Sequence, residues 1–465
     1  MLFSSITFLY YFLPITAGVY FIAPKRFKNA VLLLCSLVFY AWGEPKYIWL
    51  MGLSILLGYG FGLLVERYRQ RKLGVILCAA SVAVSLSFLL YFKYTGFFLE
   101  TIRATTGLDV PLLHIALPIG ISFYTFQMVS YTVDVWRGEK AQRSLVCLAA
   151  YIAMFPQLVA GPIVRYSDIA SQLAERKHST HLAADGIRRF VMGLAKKVVL
   201  ADQLGELCSQ FGAAEGKTVL FYWLNAVAFT LQVYFDFSGY SDMAIGLGKV
   251  FGFRFLENFR YPYCSLSITE FWRRWHISLG SWFRDYVYIP LGGNRKGRLR
   301  QVFHILAVWM LTGLWHGASW NFVIWGLYFA TLLLIEKQWL LQRLKKHKGL
   351  SWLYTMCSVL LGFVIFQAKD LGQAVSNLGG MFGAGGIPFA SAEALYYLRS
   401  FAVLLVAGGI GATPIPTLCA KWVAGRAAAR KLWVFAEPLA LAALLLLVTS
   451  YLVDGTFQPF LYFRF

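Results

Sequence analysis

Leu432–Leu452 reads LWVFAEPLALAALLLLVTSYL. Hydrocarbon cores are crossed by helices of about 20 mostly apolar residues, so this stretch reads as a spanning helix and sets the fold class as all-α and membrane-embedded. An Asp454-Gly455 break follows it, and then Phe460-Leu461-Tyr462-Phe463-Arg464-Phe465. An aromatic tail of this kind is an aggregation hazard in water. In a polytopic membrane protein it can fold back, so that residues 453–465 bring the Tyr462 phenol to a buried site.

The rest of the chain reads the same way. Of 465 residues, 58% are hydrophobic and 14% charged, far from the averages of soluble domains. Apolar runs recur throughout, so residues 1–465 read as a single membrane-embedded domain without a soluble module, linker or repeat. MLFSSITFLYYFLPITAGVYFIAP, residues 1–24, lacks a basic n-region and a small-residue cleavage site, and so reads as a first span rather than a signal peptide. The seven cysteines are odd in number, scattered and never in CxxC spacing, which gives neither a disulfide framework nor a metal site.

The net charge of +21 does not indicate nucleic acid. Its basic clusters show no interleaving with aromatics on a soluble face, whereas cytoplasmic loops of membrane proteins collect Lys and Arg. Lys25-Arg26-Lys28, Arg67 to Lys72, Lys337 to Lys348 and Lys421 to Lys431 therefore orient the chain. With spans near 30–43, 47–65, 351–368, 397–417 and 432–452, both termini fall on the extracytoplasmic side. Both outside requires an even number of crossings, and about twelve follows from span length.

Between residues 114 and 320 the apolar segments are interrupted by Pro118, Gly120, Pro156, Gly161, Pro162, Gly239, Pro290, Gly292 and Gly293. Broken backbone at membrane depth is tolerated where it is buried in protein or lines a watery cavity. Asp236 and Asp242 lie in an otherwise apolar stretch, YFDFSGYSD. They read either as functional carboxylates or as structural partners of Arg273, Arg274 or Arg284. Ser267 to Tyr288 predicts one helix, opened by a Ser267–Glu270 capping box. Trp272, Trp275, Leu279, Trp282 and Tyr286 would form its aromatic face, with His276 and the arginines on others.

His316 lies within the apolar run from Val302 to Leu334, in Trp315-His316-Gly317-Ala318-Ser319-Trp320-Asn321. Apolar surroundings keep an imidazole neutral and able to act as a general base. Gly317 and Ala318 leave room beside it. His114, His178, His181, His304 and His347 read as loop or helix-end residues.

Four stretches in order resemble the membrane-bound O-acyltransferase (MBOAT) family: FPQLVAGPI (Phe155 to Ile163), YFDFSGYSDMAIG (Tyr234 to Gly246), EFWRRWHISLGSWFRDYVYIPLGGNRKG (Glu270 to Gly297) and WHGASWNFVIWG (Trp315 to Gly326). The PLGGNR ending and the FLYFRF tail are most similar to its bacterial alginate O-acetyltransferase branch. The resemblance implies a helical bundle with broken or re-entrant helices and opposed funnels, in the bacterial cytoplasmic membrane. It also implies catalytic roles for His316 and His276, with Asn321 in the same motif, and a match of Tyr462 to the tail tyrosine of related systems. No bound cofactor is implied. The resemblance further implies acetyl-CoA as the donor substrate and an extracytoplasmic SGNH-type acetyltransferase that passes the group to a polysaccharide acceptor.

Geometry agrees with a returning tail: six extended residues cover roughly 20 Å, enough to reach the middle of a 30 Å core. His316 would take the Tyr462 proton as the phenol attacks the thioester, and His276 would orient the donor or steady the oxyanion. Arg295, Lys296 and Arg298 are placed either to meet CoA phosphates or simply as positive-inside charge. The alternatives are D-alanyl transfer from a carrier protein, a polysaccharide flippase and a docking scaffold.

Overall fold

In hydrocarbon every peptide group must find its partner within the protein, which leaves helices as the default for apolar runs. A computed structural model of the chain describes residues 1–113, 115–159, 161–295, 297–455, 460 and 461, and all regular structure among them is helical. Among the described residues, five helices are long and apolar enough to cross a membrane: Pro45–Tyr68, Lys72–Thr106, Trp320–Leu344, Lys348–Gln367 and Trp433–Asp454. A sixth is obtained if Ala392–Ser400 and Ala402–Gly411, bent by 52° at their junction, form one span.

The spans expected near 47–65, 351–368 and 432–452 are thus present. The segment at 30–43 is the helix Lys28–Gly43, of only 16 residues, and the one at 397–417 is divided by the bend at Phe401. Residues 1–24 give the short apolar stretch Phe8–Ile22.

The chain forms two compact units. The first comprises Met1–Phe190 with Met243–Leu256. Its interior holds the aromatic cluster Phe3, Phe8, Phe39 and Phe155, all buried. Ile121–Arg137 is buried along nearly its whole length, and it starts beside Gly120, whose φ of 77° is one that glycine adopts without strain.

The second unit comprises Val191–Asp242 with Glu257–Phe465. Its framework includes the Val219–Asp242 part of the helix Val219–Val250 and the antiparallel hairpin Arg298–His316 and Trp320–Ile335. The hairpin closes tightly because two glycines face each other. A Cβ on Gly313 would lie 2.1 Å from Phe322 O, and one on Gly326 would lie 2.2 Å from Trp309 O. Small residues let helices approach where lipid offers no hydrophobic drive to bring them together. Gly326→Ala should therefore force the hairpin apart and cost about 1–3 kcal/mol. The expected sign is an earlier unfolding transition in detergent; an unchanged midpoint would mean that the helices slide at no cost.

The predicted helix from Ser267 to Tyr288 is broken. Ile268–Arg274 ends at Trp275, and Ile277–Phe283 starts after His276, followed by a π turn at Arg284–Tyr288. The cause is competition for backbone groups. Asn258 O accepts from Ile277 N at 2.9 Å, and Arg274 O accepts from Arg260 N at 2.9 Å, in place of the helical ladder. Asn258 Oδ1 then takes Ser278 N–H at 3.1 Å and Ser278 Oγ at 2.9 Å, while its Nδ2 donates to Ser241 Oγ at 3.0 Å.

The helix start is capped as the sequence indicates, with Ser267 Oγ accepting from Glu270 N at 3.0 Å. Glu270 Oε2 accepts from Leu266 N rather than from the cap residue itself. Glu336, 1% exposed, adds a second cap: its oxygens accept from Ile268 N at 2.6 Å, Thr269 N at 2.8 Å and Thr269 Oγ at 2.6 Å. A carboxylate over a helix N-terminus meets both free N–H groups and the positive end of the dipole.

Candidate active site

The break puts His276 where it is. The residue has φ 44° and ψ 54°, the left-handed region that side chains with a Cβ seldom adopt. Such strain persists only where the surroundings over-determine it, and here Asn258 fixes the backbone just beyond it. The imidazole is buried, with Phe237, Phe259 and Trp315 centroids at 6.0, 6.2 and 5.8 Å. Its Nδ1 lies 3.5 Å from Ser278 Oγ. His276→Gly removes the ring and the strain together, whereas His276→Ala keeps the strain. We expect both to lose activity, with the glycine variant the more stable by about 1 kcal/mol. The order of their unfolding midpoints checks this, and the reverse order would remove backbone strain from the account.

His316 ends the helix Arg298–His316, and the chain turns at Gly317. Its ring is buried among Trp315, Trp325 and Phe366, at centroid distances of 5.0, 5.1 and 5.2 Å. Trp315 therefore touches both histidines, and the two imidazoles flank one indole. Glycine at 317 is required by space: a Cβ there would come within 2.2 Å of the Phe322 ring. Asn321 is buried and donates through Nδ2 to Ala368 O at 2.7 Å.

A cavity of about 470 Å³ opens beside this wall. Trp272, Trp309 and Tyr288 give it aromatic sides, and Arg273, Arg284, His276 and Thr312 give it polar ones. His316 is not among its lining residues; it follows Thr312 by one helical turn. The expected single aromatic face is split accordingly. Trp272 meets Trp309 at 4.7 Å on the cavity, and Trp275 and Leu279 line it too, whereas Trp282 and Tyr286 are not among its lining residues and pack on each other at 5.2 Å.

The remaining predicted residues are distributed more widely. Arg274 pairs with Glu270 at 2.5 Å and Arg284 with Asp285 at 2.7 Å. Asp236 and Asp242 are in ion pairs, but with lysines rather than with Arg273, Arg274 or Arg284. Asp242 meets Lys196 at 2.6 Å and Asp236 meets Lys197 at 2.8 Å, and Lys197 also reaches Asp202 at 2.6 Å. Lys196 and Lys197 stand in a π turn, which brings two consecutive lysines against the carboxylate helix.

Arg295 and Arg298 are exposed beside the turn made by Gly292 and Gly293, both with positive φ. Lys296 and Tyr462 lie outside the described residues, as does His114. His304, expected at a helix end or in a loop, is buried inside Arg298–His316 with its Nδ1 3.0 Å from Gly293 O.

Sequence reading missed Asn258, Glu336, Lys196 and Lys197. Glu336 was legible in principle as a carboxylate within the apolar run TLLLIEKQWLL. Asn258 gives no such signal, because its role depends on contacts distant in sequence.

The family model of MBOAT, the membrane-bound O-acyltransferase family, matches residues 35–371. The chain belongs to the membrane-bound O-acyltransferase family. It is 44% identical over 395 residues to the probable alginate O-acetylase AlgI of Pseudomonas putida, covering 83% of this chain and 81% of that protein. It is 34% identical to the peptidoglycan O-acetyltransferase of Helicobacter pylori, again over 83% and 81% of the two chains. The teichoic acid D-alanyltransferase of Bacillus subtilis is 29% identical over 54% of this chain and 69% of its own. This MBOAT protein is thus an integral membrane O-acyltransferase, and its apolar spanning helices are those of its class.

Proposed function

We propose that this MBOAT protein is a single acyltransferase domain over residues 1–465 that moves acetyl groups from cytoplasmic acetyl-CoA across the bacterial inner membrane. The groups O-acetylate an extracytoplasmic polysaccharide. The observation that carries the reading is the pair of buried imidazoles flanking Trp315 beside an aromatic and arginine-lined cavity. Greater identity to alginate and peptidoglycan O-acetylating relatives than to D-alanyl transferases favours acetyl as the cargo. Both termini outside and about twelve crossings, some of them short or broken, complete the proposed topology.

In the proposed reaction the Tyr462 hydroxyl attacks the thioester carbonyl. A C–O bond forms and the C–S bond breaks; the phenolic proton passes to His316 and from there to the departing CoA thiolate. A covalent carrier splits one long transfer into two shorter ones. His276 orients the donor, and Arg295, Lys296 and Arg298 meet its phosphates on the cytoplasmic side. An extracytoplasmic SGNH-type partner then takes the acetyl group from the tyrosine to the polysaccharide.

Purified protein in detergent, given acetyl-CoA, the partner and an acceptor polysaccharide, should release free CoA thiol. No thiol release with acetyl-CoA, but turnover with a D-alanyl carrier protein, would overturn the choice of donor while leaving the enzyme class intact.

A further inference from the structure

The two described residues of the tail are tied to the interior of the second unit. Leu461 N–H donates to Asp236 Oδ2 at 2.8 Å, and both residues are buried. Phe460, 1% exposed, lies with its ring centroid 5.0 Å from Phe237 and 5.0 Å from Tyr240. Asp236 and Tyr240 are four residues apart on one helix face, so the carboxylate and an aromatic wall form one recess for a dipeptide.

The two oxygens of Asp236 do different work. Oδ1 faces Lys197 Nζ, 2.8 Å away, and Oδ2 takes the tail amide. Lys197 is shared with Asp202. One ammonium therefore serves two carboxylates, and the group holds a surplus of acceptor capacity away from water. A buried charge of this kind demands further donors, and a backbone N–H given to an ionised oxygen makes one of the stronger hydrogen bonds. The recognition is of main chain, so the side chain at 461 can vary provided the N–H remains.

We propose that Asp236, held in place by Lys197, is the docking carboxylate for the main chain of the C-terminal tail. It is a positioning residue rather than a catalytic one. It fixes the anchor from which Tyr462, next in sequence, acts, and in that last respect it rests on the tyrosine-relay reading above.

Proline is the discriminating substitution, because it alone lacks the donor. Hydrogen–deuterium exchange of the C-terminal peptide in the full-length protein should be compared in wild type, Leu461→Met, Leu461→Pro and Asp236→Ala. Losing a charge-assisted hydrogen bond should speed exchange in the tail by about tenfold or more in the proline and Asp236→Ala variants. Leu461→Met should match wild type. In the Asp236→Ala background, Leu461→Pro should add nothing further, since both act on one contact.

A tail as protected in Leu461→Pro as in wild type overturns the proposal, and so does a methionine variant as exposed as the proline one. Should Asp236→Ala fail to fold, the Leu461 pair, outside the helical framework, still decides. The relay fails separately. Release of the tail by Leu461→Pro with no acyl group on wild-type Tyr462 sustains docking and removes the carrier. An acylated wild-type tail indifferent to the proline removes docking alone.

Discussion

His316→Gln is expected to lower acyl transfer by about a hundredfold to ten-thousandfold, the range that a positioned general base contributes. Glutamine is the better test than alanine because the ring fills space between Trp315, Trp325 and Phe366, each within 5.2 Å of its centroid. Alanine would leave a cavity there and cost stability as well as chemistry. Glutamine holds most of the volume but cannot accept and return a proton at neutral pH. Turnover should therefore collapse while the unfolding transition moves little. Wild-type turnover in a folded His316→Gln protein would remove the base from the mechanism.

Lys197→Met should produce the largest loss of stability. Lys197 is 4% exposed at its side chain and lies within 2.8 Å of both Asp236 and Asp202. Methionine matches the length of the lysine stem but leaves the buried Asp236 and the partly buried Asp202 carboxylates facing each other without a cation. Breaking a buried pair by removing one partner costs about 3–5 kcal/mol. Replacing all three groups with Lys197→Met, Asp236→Asn and Asp202→Asn should recover much of that loss, since no uncompensated charge remains. Thermal unfolding of the single and triple variants separates the cases. A single variant as stable as wild type would mean that water enters the cluster and screens it.

The class of the fold was legible because long apolar runs admit few backbone arrangements. Ile48–Tyr68, Lys348–Gln367 and the helix through Leu432–Leu452 follow directly from composition. The helix break at His276 was not legible. Periodicity from Trp272 to Tyr286 argued for one continuous face, and the break is imposed by Asn258 and Arg260, which no local pattern links to it. The same limit applies to the carboxylates. Their apolar surroundings were readable from YFDFSGYSD, yet Arg273, Arg274 and Arg284 of the Glu270–Gly297 stretch looked like the natural partners. A π turn at Lys196–Ala201 instead delivers two lysines. Local sequence identifies charged groups in apolar surroundings; which opposite charge answers them is decided by packing between distant segments.

One measurement tests the central claim most directly: mass spectrometry of the C-terminal peptide after wild type and His316→Gln are each incubated with acetyl-CoA in detergent. Tyr462 should carry an acetyl group in wild type and none in the variant. An unmodified Tyr462 in wild-type protein that nevertheless releases free CoA once the extracytoplasmic partner is added would contradict the relay, leaving direct transfer with the tail as a docking element.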